Sequence, residues 1–241
     1  MLIGLGTIVN TAAVLVGGGV GLLLKKEIKD SLQDSLLKVL GIAVLFIGIA
    51  GTLQQLLTVD GEVLKTSGTM LMIFSLIIGT LLGEYIDIEK QLEKVGEMLR
   101  KVLHTDADSP FTNAFVTVTL VICVGAMAIL GSIQDGLSGD YDLLFTKAVL
   151  DGVICMVFAS TMGIGVLAAA LPLFLYQGSI TIAAGFIAPY MTQAMIGDIC
   201  CTGNVLITLI GINLIFDKVV HVRVGNMLPA LIVPVVYHLL F

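Results

Sequence analysis

Apolar runs of about twenty residues recur along this chain from one end to the other, and a soluble fold could not bury so many of them. A bilayer core of about 30 Å needs about 20 helical residues per crossing. Runs of that kind extend from Leu2 to Leu24, Val39 to Leu57, Gly68 to Gly83, Phe111 to Ile133, Leu143 to Gly163, Asp198 to Phe216 and Gly225 to Phe241. The uncharged stretch between Gly163 and Gly197 holds one more, about 166–188, and a turn. In its middle Pro172 precedes Leu175-Tyr-Gln-Gly-Ser179, which predicts a helix broken near Gly178. Composition points the same way: 57% of the 241 residues are hydrophobic, 12% are charged, and the mean hydropathy is +1.07. The expected fold is an all-α integral membrane protein of about eight transmembrane helices, forming a single polytopic domain over residues 1–241. The first run has no charged segment before it, so it reads as a retained span and not as a cleaved signal.

Charge sets the expected topology, because Lys and Arg of short loops accumulate on the cytoplasmic side. Lys25, Lys26, Lys29 and Lys38 follow the first span, Lys90, Lys94, Arg100 and Lys101 the third, and Lys218 and Arg223 follow Phe216. Those segments hold ten of the twelve basic residues, whereas Asp60, Glu62, Asp135, Asp140 and Asp142 make the opposite loops acidic. Three basic segments inside require eight crossings, with both termini outside the cytoplasm. The net charge of −6 forms no basic stripe, so nucleic acid is excluded as a partner.

Two inner segments carry a helical period of their own. Ile88, Leu92, Val95, Leu99 and Val102 recur at three- and four-residue steps between charged residues, giving an amphipathic helix over about 85–103. Glu27 to Leu37 reads as a shorter one. Such helices lie on the inner membrane surface or against their neighbours, with a regulatory or partner-binding role as the alternative. Glycine is dense in the spans, at Gly17, Gly18, Gly19, Gly21, Gly79, Gly83, Gly125, Gly131, Gly163 and Gly165, and allows close helix contact within the chain or in a homo-oligomer. A sparse internal echo links Asn10–Gly17 with Asn204–Gly211 and Gly17–Gly21 with Gly79–Gly83.

Ionisable groups inside spans carry more information, since a charge at mid-bilayer costs several kcal/mol and seldom faces lipid. Lys147 and Asp151 are four residues apart, hence on one helical face where they can pair. Gln134 and Asp135 end the fourth span, Ser160 lies further along the fifth, Gln177 sits at the expected break, and Asp198 opens the seventh span with Asn204 beyond it. A polar route down one side of the bundle would need these groups. Each also has a structural reading: Lys147 snorkelling to the interface with Asp151 neutralising it, Asp198 as an N-cap, and Asn10, Asn204 and Asn226 as interhelical hydrogen-bonding groups.

No enzyme constellation emerges. His104, His221 and His238 are scattered, and Cys123, Cys155, Cys200 and Cys201 lie in apolar runs without metal or disulfide spacing, so they read as buried, reduced small hydrophobes and no cofactor is expected. The absence of GxxxxGK[ST] excludes ATP-driven transport by this chain itself.

The run Gly125-Ala-Met-Ala-Ile-Leu-Gly131-Ser-Ile-Gln-Asp-Gly136, the segment Lys147-Ala-Val-Leu-Asp-Gly152, Ala159 to Val166 and Tyr176-Gln-Gly-Ser179 resemble the bacterial membrane family known as domain of unknown function 554. Gly4 to Asn10 and Arg223 to Ala230 fit it too, so the likeness spans the whole chain. It implies a multi-pass protein of the bacterial inner membrane, loosely described as a transport protein, with no substrate attached. The leading expectation is a secondary transporter or channel-like protein for a small charged solute or ion, with membrane lipid as its surroundings. Asp151 would carry charge or bind the coupling ion, with Lys147 as its partner. The rival is a scaffold or sensor acting through the inner amphipathic helices.

Overall fold

In the computed structural model the described residues are 3–25, 30–61, 63–105, 110–123, 126–216, 219 and 222–240. Of the positions named above, Leu2, Lys26, Glu27, Lys29, Glu62, Gly125, Lys218, His221 and Phe241 lie outside them. The helices are α1 (Leu5–Lys25), α2 (Asp30–Leu56), α3 (Thr69–Ile86), α4 (Ile88–Val102), α5 (Phe111–Cys123), α6 (Ala126–Ser138), α7 (Asp142–Met162), α8 (Gly165–Ala168), α9 (Ala170–Ile187), α10 (Gln193–Phe216) and α11 (Ile232–Leu240). Among the described residues, six segments are long and apolar enough to cross a membrane: Leu5–Lys25, Asp34–Leu56, Thr69–Ile86, Asp142–Met162, Gly165–Tyr190 and Gln193–Phe216. The bent pair α5 and α6, 62° apart, makes a seventh, and Val224–Leu240 is a shorter apolar stretch. The chain is therefore a helical, multi-pass integral membrane protein.

Two compact units close on themselves, Met1–Leu40 with Leu92–Pro189, and Gly41–Gln91 with Tyr190–Phe241. In the first, α1 and α7 run parallel, since Gly6 meets Leu144, Asn10 meets Asp151, Gly17 meets Gly152 and Gly21 meets Met156. A Cβ at Gly17 would strike the Gly152 carbonyl, and one at Gly21 that of Met156. Lipid offers no hydrophobic force between helices, so contact this close supplies the packing. α9 runs antiparallel to α1, with Thr7 facing Thr181 at 3.4 Å, Asn10 facing Gln177, and Gly18 against Leu167 of α8.

The fourth span is where the structure departs most from expectation, because Phe111 to Ile133 is not one helix. The bend follows a β-branched arm, including Val116, Thr117, Val118 and Thr119, residue types that lower helix propensity. The two arms nevertheless form one crossing. Phe111 opens α5 against Gly165, just past the end of α7, whereas Asp135 near the end of α6 reaches the amides of Gly4 and Gly6 at the start of α1. Those are opposite ends of a parallel helix pair, so α5 and α6 traverse the unit and do not double back.

The break expected near Gly178 is not there, because α9 continues through it. Pro172 is the third residue of α9, where the missing N–H has no intrahelical acceptor in any case. A single helical glycine costs only about 1 kcal/mol. The Ser179 hydroxyl instead donates to the Tyr176 carbonyl at 2.8 Å within the helix. The chain turns at Gly163, whose φ of 90° suits glycine.

In the second unit α2 and α10 run antiparallel: Gly41 lies on Leu214 and Ile215, Gly48 on Thr208, and Gly51 on Asn204. The amphipathic segment expected at Glu27–Leu37 is not a separate helix, since from Asp30 it is the first part of α2. An unanticipated hairpin follows, with β1 (Leu57–Asp60) antiparallel to β2 (Val63–Thr66) and Gly61 in the left-handed region at its turn. α3 is antiparallel to the C-terminal stretch, Gly83 packing on Asn226 and Gly79 on Ala230. That stretch starts as a 3-10 helix, Val224–Leu231, which contains Pro229, and only then becomes α11. Eight residues at about 2.0 Å and nine at about 1.5 Å reach about 30 Å, so the tighter winding lets a short segment match a bilayer core. Against the eight crossings expected, the described residues hold six helices long and apolar enough to span, or seven with the bent pair.

The amphipathic helix expected at about 85–103 is α4, entered through Asp87 in the left-handed region. Its later part is held to the start of α5, where Glu97 Oε1 accepts from the Thr112 hydroxyl at 2.9 Å and Gly96 packs on Thr112 and Phe115.

Candidate functional site

One turn of α7 separates Lys147 from Asp151, and the two side chains meet inside the first unit. Lys147 Nζ donates to Asp151 Oδ1 at 2.8 Å and Oδ2 at 2.7 Å. Lys147 is 7% and Asp151 3% exposed, so the ammonium does not snorkel to an interface. Its third acceptor is the Ile122 carbonyl, at 2.8 Å. Ile122 lies on α5, close to the last described residue of that helix. The bent α5–α6 span therefore contributes a backbone carbonyl to the ammonium at the level of Asp151.

Two amides complete the cluster. Asn10 Nδ2, from α1, donates to Asp151 Oδ2 at 3.0 Å and to Gln177 Oε1, from α9, at 3.3 Å. Both residues are fully buried. The remaining atoms of the two amides, Asn10 Oδ1 and Gln177 Nε2, have no hydrogen-bond partner among the described residues. Buried polar atoms are paired in the great majority of cases, and leaving one unpaired costs about 1–3 kcal/mol. Four crossings thus contribute one group each to a single polar centre: α1 an amide, α5 a carbonyl, α7 the ion pair and α9 an amide.

Of the residues singled out in the sequence, Lys147, Asp151 and Gln177 come together here. Asp135 is buried elsewhere, where its carboxylate accepts from the backbone N–H of Gly4 and Gly6, each at 3.1 Å, and closes the start of α1. Its neighbour Gln134 is exposed. Ser160 is buried but donates back to the Val157 carbonyl at 2.8 Å. Asp198 and Asn204 belong to the second unit. Asp198 is the sixth residue of α10 and not its cap; that role falls to Thr192, whose hydroxyl accepts from Met195 N–H at 3.1 Å. Asp198 pairs instead with His238 Nε2 at 2.7 Å, and Asn204 packs on Gly51. The four cysteines are free thiols.

Sequence reasoning undervalued Asn10, a polar side chain on the same stripe of α1 as Gly6 and Gly17. It had no means of finding the Ile122 carbonyl, which acts through backbone geometry. His238 was set aside as scattered because its partner is forty positions away.

Comparison with known proteins places the chain in context. The family model described as Protein of unknown function (DUF554) matches residues 5–239. The chain is 35% identical over 229 residues to the uncharacterized membrane protein YdfK of Bacillus subtilis (strain 168), covering 95% of this chain and 93% of that one. It is 30% identical over 232 residues to the uncharacterized protein YqgA of Escherichia coli (strain K12), again covering 95% and 93%. No solved structure matches.

Proposed function

The chain belongs to the DUF554 family, and from that starting point we propose that it is a secondary transporter or channel-like protein passing a small charged solute or ion across the bacterial inner membrane. The observation that supports this reading is the Lys147–Asp151 pair, buried on a membrane-crossing helix beside unpaired amide atoms and the Ile122 carbonyl of the bent α5–α6 span. Burying two charges costs several kcal/mol per ion before their attraction returns any of it, and a well-packed apolar pair of similar volume is often as stable or more so. In known transporters a discontinuous helix with carbonyls facing a mid-membrane ionisable group marks the binding site. In this reading Asp151 is the charge carrier or coupling-ion ligand, Lys147 its counter-charge, the basic segments face the cytoplasm and both termini face outward. The protein acts without chemistry on its solute, embedded in lipid, with the glycine-lined helix faces favouring a homo-oligomer. The test is flux of candidate ions into proteoliposomes: Asp151→Asn should abolish it, and unchanged flux through a folded variant rejects the role.

A second reading, a non-transporting scaffold or sensor, draws on α4, where Val95, Met98 and Val102 stay 41%, 58% and 65% exposed on a helix rich in charge. It predicts that changes to the α4 surface abolish the cellular phenotype while Asp151→Asn affects stability alone.

A further inference from the structure

The ion pair sits at a boundary between polar and apolar layers of the first unit. At its level α1, α7 and α9 carry Asn10, Asp151 and Gln177. One turn toward the Lys25 end of α1, the same helix faces carry Val14, Cys155 and Leu173, all fully buried. Further that way the buried hydroxyls of Ser160 and Thr161 donate back to carbonyls of α7. Thr119 of α5 is the exception, a buried hydroxyl with no partner among the described residues.

Toward the start of α1 the same faces stay polar. Thr7 meets Thr181, and beyond them the Asp135 carboxylate accepts from Gly4 and Gly6 N–H. Thr7, Thr181 and Asp135 are all buried. Ser132 joins this column: Gly136 lies on the Thr181 carbonyl, α6 and α9 run parallel, and one turn back along each brings Ser132 level with Gln177. The Ser132 hydroxyl, Asn10 Oδ1 and Gln177 Nε2 are buried without a partner among the described residues. Turning the amides over does not help, since it sets Asn10 Oδ1 against the carboxylate or Gln177 Nε2 against Asn10 Nδ2. A hydroxyl, an acceptor and a donor stranded at one level are what a water molecule joins with about three hydrogen bonds.

We propose that α1, α6 and α9 enclose a file of water running from Asp135 past Thr7 and Thr181 to Asn10, Gln177 and Ser132, and that solute or ion reaches Asp151 along it. This rests on the transport reading above and gives its site a side. The route enters where α1 begins, and the layer of Val14, Cys155 and Leu173 closes the opposite direction. Spacing supports a file: successive levels are three or four residues apart, about 5 Å along the helix axes, and one water spans that gap with two hydrogen bonds of about 2.8 Å.

The experiment reads water access one residue at a time. Cysteines are placed singly on two helices, Thr7→Cys and Val14→Cys on α1, Thr181→Cys and Leu173→Cys on α9, and sealed vesicles of either orientation are exposed to Ag+, a thiol reagent small enough for single-file water. Denaturation, alkylation with a maleimide and peptide mass spectrometry then report how much of each thiol silver had covered. Because thiol reactivity follows access, Thr7→Cys and Thr181→Cys should be covered about tenfold faster than Val14→Cys and Leu173→Cys. Coverage should come only from the face where α1 begins, and native Cys155 should stay uncovered from both faces. Equal rates within each helix, or coverage from the Lys25 face alone, overturn the proposal. A wild-type map that shows ordered water needs no variant: density bonded to Asn10 Oδ1 and Gln177 Nε2 is expected, and a dry contact there overturns the file. Asp151-dependent flux with all four positions equally closed leaves the transport reading standing and sinks the route. Silver entry from the expected face with no Asp151-dependent flux of any solute leaves the water file standing, and its role falls with the transport reading.

Discussion

Removing one member of the buried pair should destabilise the protein far more than removing both. Asp151→Ala deletes three hydrogen bonds, two from Lys147 and one from Asn10, and leaves the ammonium with the Ile122 carbonyl alone. Interhelical and side-chain hydrogen bonds in membrane proteins average about 0.6 kcal/mol, so the bonds themselves explain about 2 kcal/mol. An uncompensated buried charge raises the expected loss to about 3–5 kcal/mol, and Lys147→Met, which strands the carboxylate, should cost a similar amount. The double variant Lys147→Met/Asp151→Leu has no buried charge to strand. It should lie only about 1–2 kcal/mol below wild type, the residual being the amide of Asn10 deprived of its acceptor. The coupling energy between the two positions should then be about 3 kcal/mol or more, well beyond that of two independent sites. Reversible unfolding in mixed micelles with increasing SDS measures all four corners of this cycle. Losses that simply add, or single variants costing less than about 1 kcal/mol, would show that water reaches the pair and would refute the low-dielectric argument.

Other expectations concern the frame around the site. Gly17→Leu should prevent α1 from closing on Gly152 and abolish the folded yield, whereas Gly19→Ala, which meets nothing within 4 Å, should be neutral or stabilise by up to about 1 kcal/mol; thermal melts in detergent compare them. Asp135→Ala removes the acceptor of two amides at the start of α1 and should cost about 1–2 kcal/mol by the same assay, with Asp135→Asn recovering part of it. The Thr112 hydroxyl, and after it Arg100, hold the Glu97 carboxyl below its usual value of 4.5. A lowered folded-state value stabilises above the unfolded one, so the melting-temperature gap between wild type and Glu97→Gln should be full above about pH 4.5 and close as the pH falls further. A gap that widens on acidification would contradict the assignment.

How much of this was legible beforehand depends on which interaction each feature uses. Span existence followed from length and apolarity, and the amphipathic α4 from its period, because both are local properties of the chain. The pairing of Lys147 with Asp151 was readable because four-residue spacing fixes it within one helix. Asn10 and Gln177 are brought to that pair by helices 141 and 26 positions away from Asp151, and no local rule forecasts it. The broken helix was anticipated but assigned to the wrong span. Proline and glycine near Gly178 outweighed, on paper, the β-branched arm of α5, although Pro172 falls harmlessly in a first helical turn. The hairpin at Leu57–Thr66 did have a signal, the Asp60-Gly61 dipeptide between short β-prone segments, which the apolar periodicity of the flanking spans overshadowed.

The second unit serves as an internal control for the meaning of the pair. There α2 and α10 approach through Gly41, Gly48, Gly51 and Gly211, just as α1 and α7 approach through Gly17, Gly21 and Gly152 in the first. Where they meet, α2 and α10 offer backbone, Thr208 and Asn204, with no ion pair between them among the described residues. The one acid of α10, Asp198, is near its beginning and reaches a partly exposed histidine. Close packing of two glycine-faced helices therefore does not require an ion pair in their midst. The first unit packs as tightly, yet it also carries an ammonium, a carboxylate and two imperfectly satisfied amides at the level of the Ile122 carbonyl. Packing accounts for the glycines of both units and leaves the buried charges at Lys147 and Asp151 without a packing role.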